Sequence, residues 1–130
     1  MASTSVDKAG TEGAAIEQPT NGAPPTVCPH FHAAVELIGR RWAGAILITL
    51  LDGSVYFREL GAAVPGMSDR LLSQRLRELE AEGLVQRCVH DGPPARVSYS
   101  LTAAGRGLEP AIRELHAWAR RWEAAEARPT

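Results

Sequence analysis

From residue 31 onward, apolar and polar positions fall into segments with two different periods. Phe31, Val35 and Ile38 recur at helical spacing and predict a first helix over residues 31–39. Arg40-Arg41-Trp42 leads into an almost wholly apolar stretch, residues 42–51, which predicts a buried helix ended by Asp52-Gly53. Tyr56 and Phe57 open a third helix, residues 57–64, with Leu60 and Val64 turned inward. After the turn Pro65-Gly66-Met67, Ser68 is a good N-cap and Asp69 suits the first turn of the next helix. That helix runs to about Glu82, and Gly83 is a natural residue just past its end. The period then changes. Residues 84–90 and 95–101 read as strands flanking Asp91-Gly92-Pro93-Pro94, and Thr102 caps a last helix reaching about Ala125. Pro110 should bend or restart that helix.

This order of elements predicts a mainly α domain with a small β-hairpin wing, an α+β winged helix-turn-helix that dimerises through its terminal helices. The helix after Ser68 carries the main argument. At about 100° per residue, Leu76, Leu79 and Gly83 fall within about 40° of Leu72 and form the buried stripe. Arg70, Gln74, Arg77 and Ala81 fall opposite, with Ser73 at the edge. Arginine can bond two acceptors of guanine, glutamine can do the same for adenine, and serine can meet base edges or phosphate. Arg75 points to the flank beside Glu78 and Glu82, where it is either a phosphate contact or half of a surface ion pair. In the wing, His90 and Arg96 stand beside a proline-stiffened turn, and such tips reach backbone phosphates or a minor groove. The candidate DNA-binding residues are therefore Ser68, Arg70, Ser73, Gln74, Arg75, Arg77, His90 and Arg96.

Charge makes segregation essential. The formal net charge of the 130-residue chain is -1, so no global basic character attracts DNA. Between Phe57 and Leu101 six arginines meet six acids, and only their placement on the wheel leaves Arg70 and Arg77 without an acid between them. Residues 1–26 are rich in small and polar types without apolar periodicity and are expected to form a disordered tail, leaving residues 27–126 as one domain. No apolar run approaches the roughly 20 residues of a membrane span, and the N-terminus lacks a signal-peptide core. The two cysteines, Cys28 and Cys88, are too few for a secreted disulfide framework. A cytoplasmic protein is expected. No phosphate loop, nucleophile elbow or paired metal-ligand motif is present, so neither an enzyme nor a cofactor or metal is expected.

Leu108, Ile112, Leu115, Ala119 and Trp122 recur at spacings of four, three, four and three along the last helix. So small a domain has little core to cover a stripe of that length, and a partner helix is its expected cover. Packing against the chain's own first helix is the competing reading. Cys28 lies just before a helix N-terminus near His30 and His32, a setting that favours thiolate and makes it a candidate redox sensor. Cys28, His30 and His32 also offer metal-binding atoms, but no fourth ligand accompanies them. Cys88, on a wing strand, is expected to be buried.

From Cys28 to about Trp122 the chain resembles the HxlR-type winged-helix transcriptional regulators of bacteria. The matching pieces are Cys28-Pro29, Leu37-Ile38-Gly39 with Trp42, Phe57-Arg58-Glu59-Leu60, and Pro65-Gly66-Met67-Ser68. They continue through residues 72–80, Gly83-Leu84-Val85, and residues 97–102 with Gly105. The resemblance implies a homodimeric, cytoplasmic regulator of double-stranded DNA, related in design to MarR-type proteins and repressor-like. It also implies a response to redox or electrophile stress, since several relatives sense oxidants or electrophiles through a cysteine at this place. The rival expectation is a small-molecule effector held between the long helix and the domain body, which needs no thiol. A winged-helix protein-interaction module without sequence-specific DNA binding is the alternative, because the fold does not dictate its partner. Such a module should show apolar anchors where Arg70 and Arg77 stand.

Overall fold

The computed structural model describes residues 22–126 together with Ile16 and Gln18. Most of the expected tail therefore lies outside the described residues. The helices are α1 (Pro29–Ile38), α2 (Ala43–Thr49), α3 (Phe57–Ala63), α4 (Asp69–Ala81), α5 (Ala103–Arg106) and α6 (Glu109–Glu126). The strands are β1 (Val55–Tyr56), β2 (Val85–His90) and β3 (Arg96–Leu101), antiparallel in the order β1-β3-β2. The expected mainly α winged helix-turn-helix is present, with each hairpin strand one residue shorter than its pattern suggested.

Apolar burial holds α2, α3 and α4 together. Ile46, Leu47 and Leu50 meet Leu60 and the α4 stripe Leu72, Leu76 and Leu79, all inaccessible or nearly so. Val85, Tyr99 and Leu101 close this core from the sheet. Each fully buried leucine contributes on the order of 1.5–3 kcal/mol through lost water contact, which outweighs the weak propensity of such short helices to form alone. α4 starts where Ser68 Oγ accepts the Leu71 N–H at 3.1 Å, and Asp69 adds a negative charge to its first turn. Its end is fixed by Gly83, whose φ of +81° is left-handed backbone that lets the chain turn into β2.

β1 was not foreseen. It is only two residues long and pairs Val55 with Tyr99 and Tyr56 with Ser98. The last helical stretch restarts, one of the two outcomes expected at Pro110: α5 ends at Arg106 with Gly107 as its C-cap, and α6 begins at Glu109 with Pro110 inside its first turn, where a missing N–H costs nothing. Thr102 fastens this corner. Its hydroxyl accepts the Gly105 N–H at 3.1 Å and donates to the Gly83 carbonyl, while its own N–H bonds the Leu84 carbonyl at 3.0 Å.

Gly105 is packed so closely that a Cβ would collide with that Leu84 carbonyl. The obstacle is backbone and cannot rotate aside. Gly105→Ala should therefore destabilise the fold by about 1–3 kcal/mol or more, read as a lower denaturant midpoint at unchanged slope. An unchanged midpoint would show that the α5 corner is not a fixed joint.

Candidate nucleic-acid interface

α4 is held by its leucines with the opposite face in solvent. Arg70, Gln74, Arg77 and Ala81 are all exposed, and Ser73 is half-buried at the edge, as its wheel position required. Gln74 Nε2 donates to Glu78 at 3.4 Å, a long contact that leaves the amide oxygen open. Among the described residues, Arg70 and Arg77 have no carboxylate at ion-pair distance. Ser68 is exposed, but its hydroxyl oxygen is already used as the α4 cap.

Arg75 has the second of its two foreseen environments. Its Nε donates to the Arg41 carbonyl at 2.8 Å, its Nη1 lies 3.3 Å from Glu78, and its side chain is only 17% exposed. Arg40 meets the same Glu78 at 3.5 Å. These contacts tie α4 to the α1–α2 connection, so Arg75 belongs to the scaffold rather than to the outward face. That connection contains Trp42, whose φ of 77° is rare for a bulky residue. Arg41 covers its ring at 5.0 Å, and its buried indole N–H has no bonding partner among the described residues.

The wing residues lean back onto the body. His90 Nε2 is 2.8 Å from the buried Ser98 hydroxyl, and its ring meets Tyr56 edge-on at 5.5 Å. Arg96, directly across the ladder from His90, stacks its guanidinium 3.6 Å over the Tyr56 ring. Ser73 and Arg96 thus line one cleft between α4 and the wing, joined there by Arg58 and Arg87. Sequence reasoning passed over Arg58 and Arg87. The strand register places Arg87 opposite Tyr99, yet two-residue alternation alone does not show which face of the hairpin borders the cleft.

The stripe on the last helix divides. Ile112 is buried in the chain's own core and Leu108 packs against it, so these two are already covered within one chain. Ala119 is half-buried, whereas Leu115 and Trp122 are more than half exposed. Trp118 stacks on Trp122 with centroids 5.4 Å apart. α1 has no buried residue, and its Phe31 and Val35 are also exposed. Arg113, held by Glu109 at 2.7 Å and Asp52 at 3.2 Å, fastens the start of α6 to the turn that follows α2.

Cys28 is exposed at the N-cap of α1, and its carbonyl accepts the His32 N–H at 3.0 Å. The expected burial of Cys88 is wrong. It is exposed, because the core reaches only Val85 of β2 and the strand then runs out into the wing. Among the described residues no group of histidine, cysteine and carboxylate side chains could hold a metal ion. Nor is any described helix long and apolar enough to cross a membrane.

A helix-turn-helix core with one helix bare on its polar face, followed by an antiparallel hairpin beside that face, defines a winged helix-turn-helix transcriptional regulator. Residues 37–127 match the sequence model of the HxlR-like helix-turn-helix family, and the chain belongs to that family. It is similar to the HTH-type transcriptional regulator YvaP of Bacillus subtilis, with 46% identity over 74% of this chain and 89% of that one. The structure of the reduced transcriptional regulator YodB from B. subtilis superposes with a TM-score of 0.65 at 38% identity, covering 72% of this chain and 92% of that one. YodB has also been solved after diamide treatment and with bound quinone. The redox regulator HypR in its reduced form gives a TM-score of 0.70 at 34% identity, covering 76% of this chain and 99% of that one.

Proposed function

We propose that this regulator binds a pseudo-palindromic operator as a homodimer in the cytoplasm, acts as a repressor, and responds to oxidants or electrophiles through Cys28. The observation that carries the DNA reading is the α4 face itself. Arg70 and Arg77 remain exposed without an acid partner among the described residues, while the scaffold consumes Arg75. In this reading Arg70, Gln74, Arg77 and Ser73 read base edges, and Ser68, His90 and Arg96 position the backbone. Hydroxyl-radical footprinting on DNA from upstream of its own gene should show two protected half-sites about one helical turn, roughly 34–36 Å, apart. A single protected patch would count against two linked subunits. An interaction module is less well supported, because the α4 face carries guanidinium groups rather than apolar anchors.

Arg96 and the α4 arginines should differ in kind. Arg96→Ala is expected to weaken operator and unrelated DNA alike and to lower the salt slope by about one, as loss of one phosphate contact requires. Loss on the operator alone would mean that the wing reads bases.

Cys28 is supported as the sensor by its exposure at the start of the sparsely packed α1 and by the treatments named for YodB. A quinone would add to its sulfur, and the adduct would disturb α1, which carries exposed apolar side chains at Phe31 and Val35. A small change in subunit spacing is enough to lose simultaneous half-site contact. Cys28→Ser should keep operator affinity and lose the quinone response, whereas Cys88→Ser should keep both. Quinone-induced release that persists in Cys28→Ser would move the sensor elsewhere, for instance to a non-covalent effector site.

A further inference from the structure

Arg70 and Arg77 offer only donors to a base edge however they turn, whereas the Gln74 amide can lead with its oxygen or with its nitrogen. Which it does decides the base it accepts. One turn further along α4, Glu78 faces that amide, and Gln74 Nε2 donates to Glu78 Oε2 at 3.4 Å. A carboxylate only accepts, so the amide nitrogen must point to it, and turning the amide over would set oxygen against oxygen. Glu78 is itself held from behind. Arg75 Nη1 lies 3.3 Å from each of its oxygens and Arg40 Nη1 3.5 Å from one, so its place is not set by α4 alone. The same two guanidinium groups offset a negative charge that would otherwise repel phosphate.

We infer that Glu78 is a positioning residue for base recognition, fixing Gln74 with its oxygen outward so that one operator position is read as adenine. The inference rests on the DNA reading proposed above and narrows it. An outward oxygen meets the amino group that adenine presents in the major groove, and the N–H not spent on Glu78 is left for adenine N7. Cytosine offers an amino group without that acceptor beside it. Guanine O6 and thymine O4 would set a second acceptor against the amide oxygen. In water an i,i+4 contact of this kind is weak, but against DNA the displaced solvent no longer competes for it. Without Glu78 the amide is free to turn over and donate to guanine or thymine.

The test is a set of anisotropy competitions with the full chain, in which each position of both upstream half-sites carries all four base pairs in turn. Gln74→Ala marks the position that Gln74 reads, as the one whose preference this variant flattens. There the wild-type chain should favour adenine over guanine and thymine by about tenfold or more. Glu78→Ala should cut that ratio to about threefold or less and leave the ratios at other positions unchanged. A Glu78 that only braced the fold would weaken all duplexes alike, since ratios measured on one protein do not depend on how much of it is folded. Gln74→Ala combined with Glu78→Ala should give the profile of Gln74→Ala alone, because Glu78 acts through Gln74. An adenine preference that survives Glu78→Ala would overturn the inference. So would a wild-type preference for guanine or thymine at that position, which is read without any Glu78 variant. If Gln74→Ala alters no position, the DNA reading of Gln74 fails and the inference with it. If it alters one position and Glu78→Ala does not, the inference alone fails.

Discussion

A chain carrying both Leu115→Glu and Trp122→Glu should sediment as a monomer and lose about 10²-fold or more in affinity for a two-half-site operator. Leu115 is 56% exposed and Trp122 is 52% exposed in the single chain, so neither change opens its core. The exposed apolar groups fall on two helices. Trp118 and Trp122 stack on α6, and Phe31 and Val35 stand bare on α1. In the proposed dimer a partner's helices cover these groups, and a carboxylate placed there would lose its hydration without gaining a counter-charge. The loss of DNA affinity follows from linkage rather than from any lost DNA contact, since half-sites bound by separate chains no longer raise each other's local concentration. An unaltered dimer in sedimentation would exclude this interface. Ile112 would be the wrong choice for the test despite sharing the stripe, because it is buried within its own chain.

Removing the guanidinium of Arg77 or the amide of Gln74 by substitution with alanine should each cost about 1–3 kcal/mol of operator affinity and relax the preference at one base position. Both side chains are exposed on the face opposite Leu72, Leu76 and Leu79. Their loss leaves the helix and its packing intact, so folding stability should stay nearly constant while binding changes. Arg77 has no carboxylate at ion-pair distance among the described residues, and its whole effect should appear on the DNA. Gln74 gives up only a 3.4 Å contact to Glu78. Uniform weakening across all sequences would reassign these residues to the phosphate backbone.

Local chemistry accounts for what could be read in the residues themselves. Ser68 and Gly83 fix the two ends of α4 through a cap bond and a left-handed turn, both properties of a single residue and its neighbours. The leucine stripe and the opposing arginine face follow from helical geometry alone. Long-range placement was not legible. Whether Arg75 would meet phosphate or protein depended on the Arg41 carbonyl, 34 residues earlier in the chain. Spacing on α6 shows that a stripe must be covered but not by which molecule, and Ile112 and Leu115 fall on different sides of that divide. Cys88 was misplaced for a similar reason, since alternation along a strand does not reveal where the core beneath it ends. β1 is too short to carry any period, and its existence depends on the partner strand β3. The need for glycine at position 105 comes from the Leu84 carbonyl across the corner, which no local pattern announces.

The most direct test of the DNA-reading face is a pair of fluorescence-anisotropy titrations at one fixed, physiological salt concentration. One uses duplex DNA from upstream of the gene, the other a scrambled duplex of the same length and composition. With a net charge of -1, the chain has little unspecific attraction to fall back on. The operator should therefore bind at least about 10³-fold more tightly than the scrambled duplex. Equal affinity for the two duplexes, or no binding to either, would mean that the arginine face of α4 does not read DNA sequence.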